Sequence, residues 1–364
     1  MTHPIDRSLL YLTLTLFIGG ILILTSASLA LSYKNFGTIW GYALRQLVYG
    51  GVGLAIMAVM SRVHYRTWRR WSLSLLLCSF ALLALVFVPQ LGFSSGGATR
   101  WLRVGPVSFQ PAELLKLAFI MYLASWLDAR RREVASVSYG MIPFVIMLAV
   151  VGVFLIMQPD IGTLFVIAVT AGLLYFLGGG RASQVVTIML LGAAMFYLLI
   201  QLAPYRFDRV RVFLNPALDP QGKGYQITQA SIAIGSGGFF GLGFGKGVQK
   251  YQYLPEPMGD SIFAIVAEEM GFLGALSLVG LLVFFFVKGC GVAKRAPDVF
   301  GKLLAAGISI GIMTQAFVNM AAISGLLPLT GIPLPFVSYG GTSLVVTLAS
   351  AGVLMNISRI AKSQ

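Results

Sequence analysis

Long apolar stretches alternate with short polar ones along the whole chain, and their spacing sets the architecture. Runs close to the ~20 residues that cross a bilayer as a helix occur at 9–31, 44–61, 72–89, 111–127, 140–157, 161–178, 184–203, 261–287, 303–325 and 342–358. They predict an all-α, polytopic membrane protein with ten transmembrane helices forming one membrane domain over residues 1–364. The long segment between the seventh and eighth runs, 204–260, breaks the rhythm. It is rich in Gly, Pro and charge, and its apolar piece, Ile227 to Phe240, is too interrupted by Gly to span. Short interfacial or re-entrant helices are expected there, since irregular backbone at membrane depth needs protein or water to satisfy it. A loop of this length in a compact domain is usually functional.

Composition agrees with the pattern: hydrophobic residues make up 57% and charged residues 10%, with mean hydropathy +0.86, against roughly 25% charged in a soluble domain. The distribution of Lys and Arg then gives an orientation. With the N-terminus cytoplasmic, inner segments collect fifteen basic residues, among them Arg62, Arg66, Arg130, Arg181, Arg295 and Arg359, and short outer ones five. That asymmetry obeys the positive-inside rule and puts both termini in the cytoplasm. The first run lacks a small-residue cleavage pattern and reads as a retained helix.

Most of the +14 net charge is therefore explained by anionic lipid headgroups, with no need for nucleic acid. The residues left over are outer cations that topology does not ask for: Arg100, Arg103, Lys116, Arg206, Arg209, Arg211, Lys223, Lys246 and Lys250. Headgroup anchoring accounts for any one of them; together they suggest an anionic ligand. Cys78 and Cys290 imply neither a disulfide nor a metal site and read as small apolar filler. The glycine cluster Gly235 to Gly247 lacks the spacing of a nucleotide-binding loop, with Phe240 and Gly247 at the wrong places. It reads as backbone that turns tightly or approaches a ligand closely.

Twelve acidic residues serve the entire chain, and several fall at the outer ends of apolar runs, where a carboxylate is kept only with a partner, water or a task. The densest stretch is Leu254-Pro-Glu-Pro-Met-Gly-Asp260, followed by Ser261 and, further on, Glu268 and Glu269. Asp260 is the candidate for chemistry, with Glu256 beside it. Glu113 precedes Lys116 by three residues after Pro111, so acid and base share a helix face; an ion pair near a helix start explains both equally well. Asp160 in Gln158-Pro-Asp-Ile-Gly-Thr163 has the position of a helix N-cap.

At these residues the chain resembles the SEDS family (shape, elongation, division and sporulation). The resemblance is carried by Asn215-Pro through Tyr225-Gln-Ile-Thr-Gln-Ala, Tyr253 through Ala264, Ala267-Glu-Glu-Met-Gly271, Trp101 through Lys116, Gln158 through Thr163, and Gly331-Ile-Pro-Leu-Pro-Phe-Val-Ser-Tyr-Gly-Gly341. It covers nearly all of the chain and is closer to the division branch than to the elongation branch. Many members carry His-Thr before the aspartate; Met258-Gly259 here remove that imidazole and predict a more flexible approach to the acid.

The resemblance implies a peptidoglycan glycosyltransferase that joins lipid II into glycan strands at the outer face of the cytoplasmic membrane. The family's essential aspartate falls on Asp260, its acid–base pair on Glu113 and Lys116, and a further acid on Asp160. It also implies a class B penicillin-binding protein, a transpeptidase, as partner, alongside other divisome or elongasome membrane proteins. The residues themselves fit transfer from a sugar diphosphate. One carboxylate takes the proton of the attacking hydroxyl, and cations such as Arg100, Arg103, Arg206, Arg209, Arg211, Lys246 and Lys250 hold the departing diphosphate. Mg2+ or Mn2+ would suit carboxylates and phosphates, although no ligand cluster demands one. A lipid II flippase is the alternative from another class and should carry charge through the middle of its crossings; a non-catalytic scaffold for the transpeptidase is a third. Gly280, Ala305, Ala306 and Gly307 would allow close helix contact, with the partner or within the chain.

Overall fold

The computed structural model describes residues 6–95, 98–105, 107–201, 207 and 211–361. Each of the ten apolar runs is a helix: α1 (Arg7–Ala27), α3 (Gly41–Arg62), α4 (Tyr65–Leu85), α5 (Pro111–Ala129), α6 (Ile142–Met157), α7 (Ile161–Leu177), α8 (Ala182–Gln201), α10 (Ile262–Lys294), α11 (Val299–Ile323) and α12 (Gly341–Ala361). Between them lie, among other short turns, the helices α2 (Leu29–Phe36) after the first crossing and α9 (Lys223–Ser236) in the long loop. The first run therefore ends four residues early. Beyond Ala27 the chain turns at Ser28, and α2 closes on Gly37 at φ +67°.

One element departs from the helical expectation. Residues 92–109 form a three-stranded antiparallel sheet, β1 (Gly92–Ser95), β2 (Ala98–Val104) and β3 (Val107–Phe109), in that order, with Arg103 opposite Ser108 and Val104 opposite Val107. Ala-Thr-Arg-Trp-Leu-Arg-Val and Val-Ser-Phe, parted by Gly105 at φ +60°, are β-branched and aromatic segments around a turn. The apolar-run reading passes over such short strands.

Helices α11 and α12 occupy the middle of the bundle: 72% and 78% of their spans are buried inside the protein, against 22–39% for the other long apolar helices. α3 lies along α12, α10 beside α11, and α5 and α7 pack on α11. Ala305, Ala306 and Gly307 face inward; a Cβ on Gly307 would meet Ile120 at 2.7 Å. Those small residues pack within the chain, while Gly280 has open space around it.

The charged end of the bundle is built from helix termini. Arg66 pairs with Asp298 at 2.8 Å, Arg69 with Asp128 at 2.8 Å and Arg295 with Asp6 at 3.6 Å, tying the starts of α1, α4 and α11 to the ends of α5 and α10. Asp298 caps the start of α11, and Asn319 near the other end of that helix donates to the Asp260 carbonyl; the ~30 Å of helix between them sets this end and Asp260 on opposite sides of the bundle.

α10 is not continuous. Gly271 has φ +65° and ψ −164°, conformations that only Gly adopts without strain, and the helix breaks there. The glycine segment 237–247 docks on the break. Leu242 and Gly243 donate to the carbonyls of Glu268 and Glu269, and Phe272 and Leu273 donate to those of Gly238 and Phe239. These four backbone groups at the break thus find partners outside α10, as irregular backbone in a membrane requires. A Cβ on Gly271 would meet the Gly241 nitrogen at 2.3 Å, so the close approach needs glycine.

Side chains complete this dock. Glu268 accepts from the N–H groups of Val248 and Gln249, and Glu269 from Gly245. Lys250, with no exposed surface, pairs with Glu269 at 2.6 Å and also donates to Ser26 of α1 and the Gly245 carbonyl. Removing one partner of a buried pair leaves an uncompensated charge, at a cost of about 3–5 kcal/mol. Lys250→Met is therefore expected to lower the melting temperature of the detergent-solubilised protein sharply, and Lys250→Met combined with Glu269→Gln to restore much of it. Equal melting of the single and double variants would contradict the pairing.

Candidate active site

Asp260 ends the Pro255–Gly259 turn, one residue before Ser261 leads into α10. Its backbone is pinned from two sides. Asn319 of α11 donates to the Asp260 carbonyl at 2.8 Å, while Ser338 and the Tyr339 N–H, in the turn between α11 and α12, donate to the carbonyls of Gly259 and Met258 at 2.6 and 2.8 Å. Gly259 also donates to the Glu256 carbonyl at 3.0 Å. In place of an imidazole, hydrogen bonds from Ser338 and the Tyr339 N–H hold the Met258-Gly259 approach to the acid.

The Asp260 side chain is half-buried and receives Gln226 of α9 at 3.2 Å and Ser261 at 3.4 Å on Oδ1. No ion pair reaches it among the described residues. Burial first, and the charge of Glu256 second, push its carboxyl up from 3.8 to about 6; the hydrogen bonds from Ser261 and Gln226 work against that rise. Asp260 also borders a tight crevice, too narrow to admit a water, lined by Asn319, Leu329, Thr330 and Gly331.

Glu113 and Lys116 lie near the start of α5, where Pro111 occupies the first turn. They pair at 2.9 Å, and Lys116 donates also to Gln315 of α11. Gln315 donates in turn to the Pro333 carbonyl at 2.8 Å, while Asn319, one helical turn further along α11, donates to Ile332 at 2.8 Å. A chain of polar contacts therefore runs from Glu113 and Lys116 through Gln315, the Ile332–Pro333 backbone and Asn319 to Asp260. Beneath the pair opens a mostly apolar cleft between α5, α7, α11 and α12, with about 40 Å³ of room for water, where Thr347 and Ser350 are among the few other polar groups.

Asp160 caps α7, accepting from the Thr163 N–H at 3.3 Å and its hydroxyl at 2.9 Å. Arg100 of β2 lies 3.9 Å from it and donates to the carbonyls of Gln158 and Pro159, so both residues fasten the α6–α7 turn to the sheet. The turn still abuts the site: a Cβ on Gly162 would meet Ile332 at 2.8 Å. Among the expected diphosphate ligands, Arg103, Arg211 and Lys246 are exposed; Arg103 lies over Phe93 at 5.3 Å and Arg211 over Phe207 at 4.2 Å. Arg206 and Arg209 fall outside the described residues. Lys250 is corrected to an interior position, as the counter-charge of Glu269. Gln226, Gln315 and Asn319 were not singled out from sequence, though an amide inside an apolar helix, as at Gln315 and Asn319, is itself a signal.

A multi-pass membrane protein emerges, with a carboxylate, Asp260, that no cation pairs with among the described residues, and a polar chain linking that acid to the Glu113–Lys116 ion pair. The chain belongs to the FtsW/RodA/SpoVE family of cell cycle proteins, whose pattern it matches over residues 6–363. It is 39% identical over 361 residues to Stage V sporulation protein E of Bacillus subtilis, covering 99% of this chain and 98% of that one. It is 38% identical over 353 residues to the "Probable peptidoglycan glycosyltransferase FtsW" of Geobacter sulfurreducens, covering 97% and 95%. Among solved structures it superposes on a chain of a peptidoglycan synthase complex that coordinates polymerization and crosslinking, with TM-score 0.82, 28% identity and 99% of both chains covered. The rod shape determining protein RodA of Thermus thermophilus gives TM-score 0.72 at 28% identity, covering 98% and 97%.

Two substitutions should move the Asp260 titration in opposite directions. Glu256→Gln removes a like charge and shifts the midpoint below about 6, because ionising beside a neutral amide costs less. Gln226→Leu removes a donor that favours the ionised form and shifts it upward. Infrared difference spectra of the carboxyl band across pH 4–8 would follow both; an unmoved midpoint in either variant contradicts the corresponding contact.

Proposed function

We propose that this protein is a peptidoglycan glycosyltransferase that polymerises lipid II, with Asp260 as general base. Asp260 carries the proposal: among the described residues no cation pairs with it, burial and the charge of Glu256 push its carboxyl up to about 6, and it borders the crevice beside Asn319. A base with a pKa near the working pH is largely ionised and still accepts a proton effectively. The attacking sugar hydroxyl gives its proton to Asp260 as its oxygen bonds to the anomeric carbon of the donor sugar. The bond from that carbon to the diphosphate oxygen breaks, and the diphosphate leaves with the electron pair. That leaving group is already stable as an anion and needs positive charge rather than a general acid.

Lys246, Arg103 and Arg211, exposed in this structure, are the candidates to hold the diphosphate, with Arg206 and Arg209 of the 204–260 loop. Glu113 and Lys116 orient the site through Gln315, and Asp160 with Arg100 holds its wall. The cleft between α5, α7, α11 and α12 offers apolar walls for a polyprenyl tail. Mg2+ or Mn2+ belongs to the same proposal. No three carboxylate, histidine or cysteine side chains gather among the described residues, so Asp260 with Glu256 would supply at most two ligands. Diphosphate oxygens and water would complete the shell, as is usual for Mg2+. When bound, the ion would neutralise charge on the departing diphosphate.

The membrane placement follows from charge. The ion-paired end carrying Arg66, Arg69 and Arg295 faces the cytoplasm with both termini, and the Asp260 end faces outward. The transpeptidase partner, a class B penicillin-binding protein, is inferred from the likeness to a chain of a synthase complex. A flippase is the second candidate, and an assay in detergent, where no leaflet remains to cross, distinguishes the two. The purified protein, supplied with its transpeptidase, is expected to form glycan strands from lipid II. Asp260→Asn should lose at least ~100-fold in rate, with its elution profile and melting unchanged. Strand formation at the normal rate by Asp260→Asn would remove Asp260 as the base, and none by the parent protein would remove the activity.

A further inference from the structure

Asn319 holds two loops together, yet half of its amide is idle. Nδ2 donates at 2.8 Å to the Asp260 carbonyl and at 2.8 Å to the Ile332 carbonyl, using both of its hydrogens. The amide cannot be turned over, since that would set its oxygen against two carbonyl oxygens. Oδ1 is thereby fixed, and it is buried with no hydrogen-bond partner among the described residues. A buried acceptor left unpaired costs about 1–3 kcal/mol, and such orphans call for an explanation. This one belongs to a residue that lines the crevice of Asp260.

Resting on the glycosyltransferase reading above, we propose that Asn319 is a substrate-specificity residue. Its Oδ1 accepts a hydrogen bond from an N–H or O–H donor on the sugar whose attacking hydroxyl is placed at Asp260. Because the same amide braces the Asp260 carbonyl, the sugar edge and the base are registered against one rigid group. The crevice is narrow around Oδ1 in this structure. Entry of a sugar edge displaces Leu329-Thr330-Gly331, a segment bounded by Gly325 at φ +73° and Gly331 at φ +72°, where Gly tolerates a backbone change that other residues resist. The chemistry fits a sugar better than a bare diphosphate, since Oδ1 is an acceptor and only a hydrogen-bond donor satisfies it.

The test pairs protein variants with acceptor analogues in a single-coupling assay, with the transpeptidase present. The analogues lack either the acetamido N–H, replaced by an ester oxygen, or one hydroxyl flanking the attacking one, replaced by hydrogen. In the parent protein one analogue should lower kcat/KM by about tenfold, which also identifies whether the donor is N–H or O–H. Asn319→Ala should be slower with the natural acceptor and show no further loss with that analogue. Loss of equal proportion in parent and Asn319→Ala would make the residue a brace only, overturning the proposal. Should Asn319→Ala fail to fold, the parent protein alone decides: a change under twofold with every analogue overturns the proposal. Absence of any strand formation by the parent from natural lipid II would instead overturn the glycosyltransferase reading itself.

Discussion

Inside a bilayer every peptide group that leaves a helix must find its partner in the protein, because no water is there to replace it. Two stretches of this chain leave the helical state at membrane depth or its edge, and both are satisfied reciprocally. The break in α10 at Gly271 and the glycine segment 237–247 exchange four backbone hydrogen bonds. The turn between α11 and α12 and the Asp260 approach are bound through Asn319, Ser338 and Tyr339. Neither irregular stretch could be held there by itself. The rigidity of Asp260 is therefore a product of solvent exclusion as much as of local sequence.

The same exclusion governs charge. Three of the buried carboxylates have a cation within reach, Glu113 with Lys116, Glu269 with Lys250 and Asp160 with Arg100 beside its Thr163 cap, whereas Glu268 takes two backbone N–H groups on one oxygen and leaves the other without a partner among the described residues. Among the described residues Asp260 too receives only neutral donors, Gln226 and Ser261, and unlike Glu268 it borders the crevice beside Thr330 and Gly331. A site built for stability would have supplied a cation; leaving one out keeps the carboxylate basic. Glu256, exposed beside it, adds to that basicity, which explains why two acids close in sequence take different parts.

Much of this was legible from the chain alone. Ten apolar runs became ten helices because, in lipid, run length and helix length are tied by a single thickness. Asp260 stood out because acids are scarce and its flanking prolines predict a turn. What sequence could not give was the pairing of distant segments. Lys250 looked like one more surface cation, and only the break at Gly271 carries it into the interior beside Glu269. Gln226 sits in an amphipathic loop helix with nothing to mark it until α9 folds against α10. Gln315 and Asn319, four residues apart in an apolar helix, were a readable signal, since polar groups there need partners. The small sheet escaped because its strands are short and the surrounding periodicity is helical.

The distribution of polar groups along the bundle favours surface catalysis over transport. Moving a charged headgroup through the bilayer requires compensating groups along the whole path. Here the polar chain from Glu113 to Asp260 gathers around one turn, Ile332–Pro333, which joins the mouth of the bundle to the top of the cleft. Below Glu113 and Lys116 the cleft wall is mostly apolar, with Thr170, Thr347 and Ser350 interrupting Leu, Ile, Val and Phe. Such a wall accommodates a hydrocarbon tail and gives a diphosphate nothing to hold. The geometry suits a lipid-linked substrate that keeps its tail in the membrane and its reacting sugar at the surface, beside a carboxylate that the fold has left free.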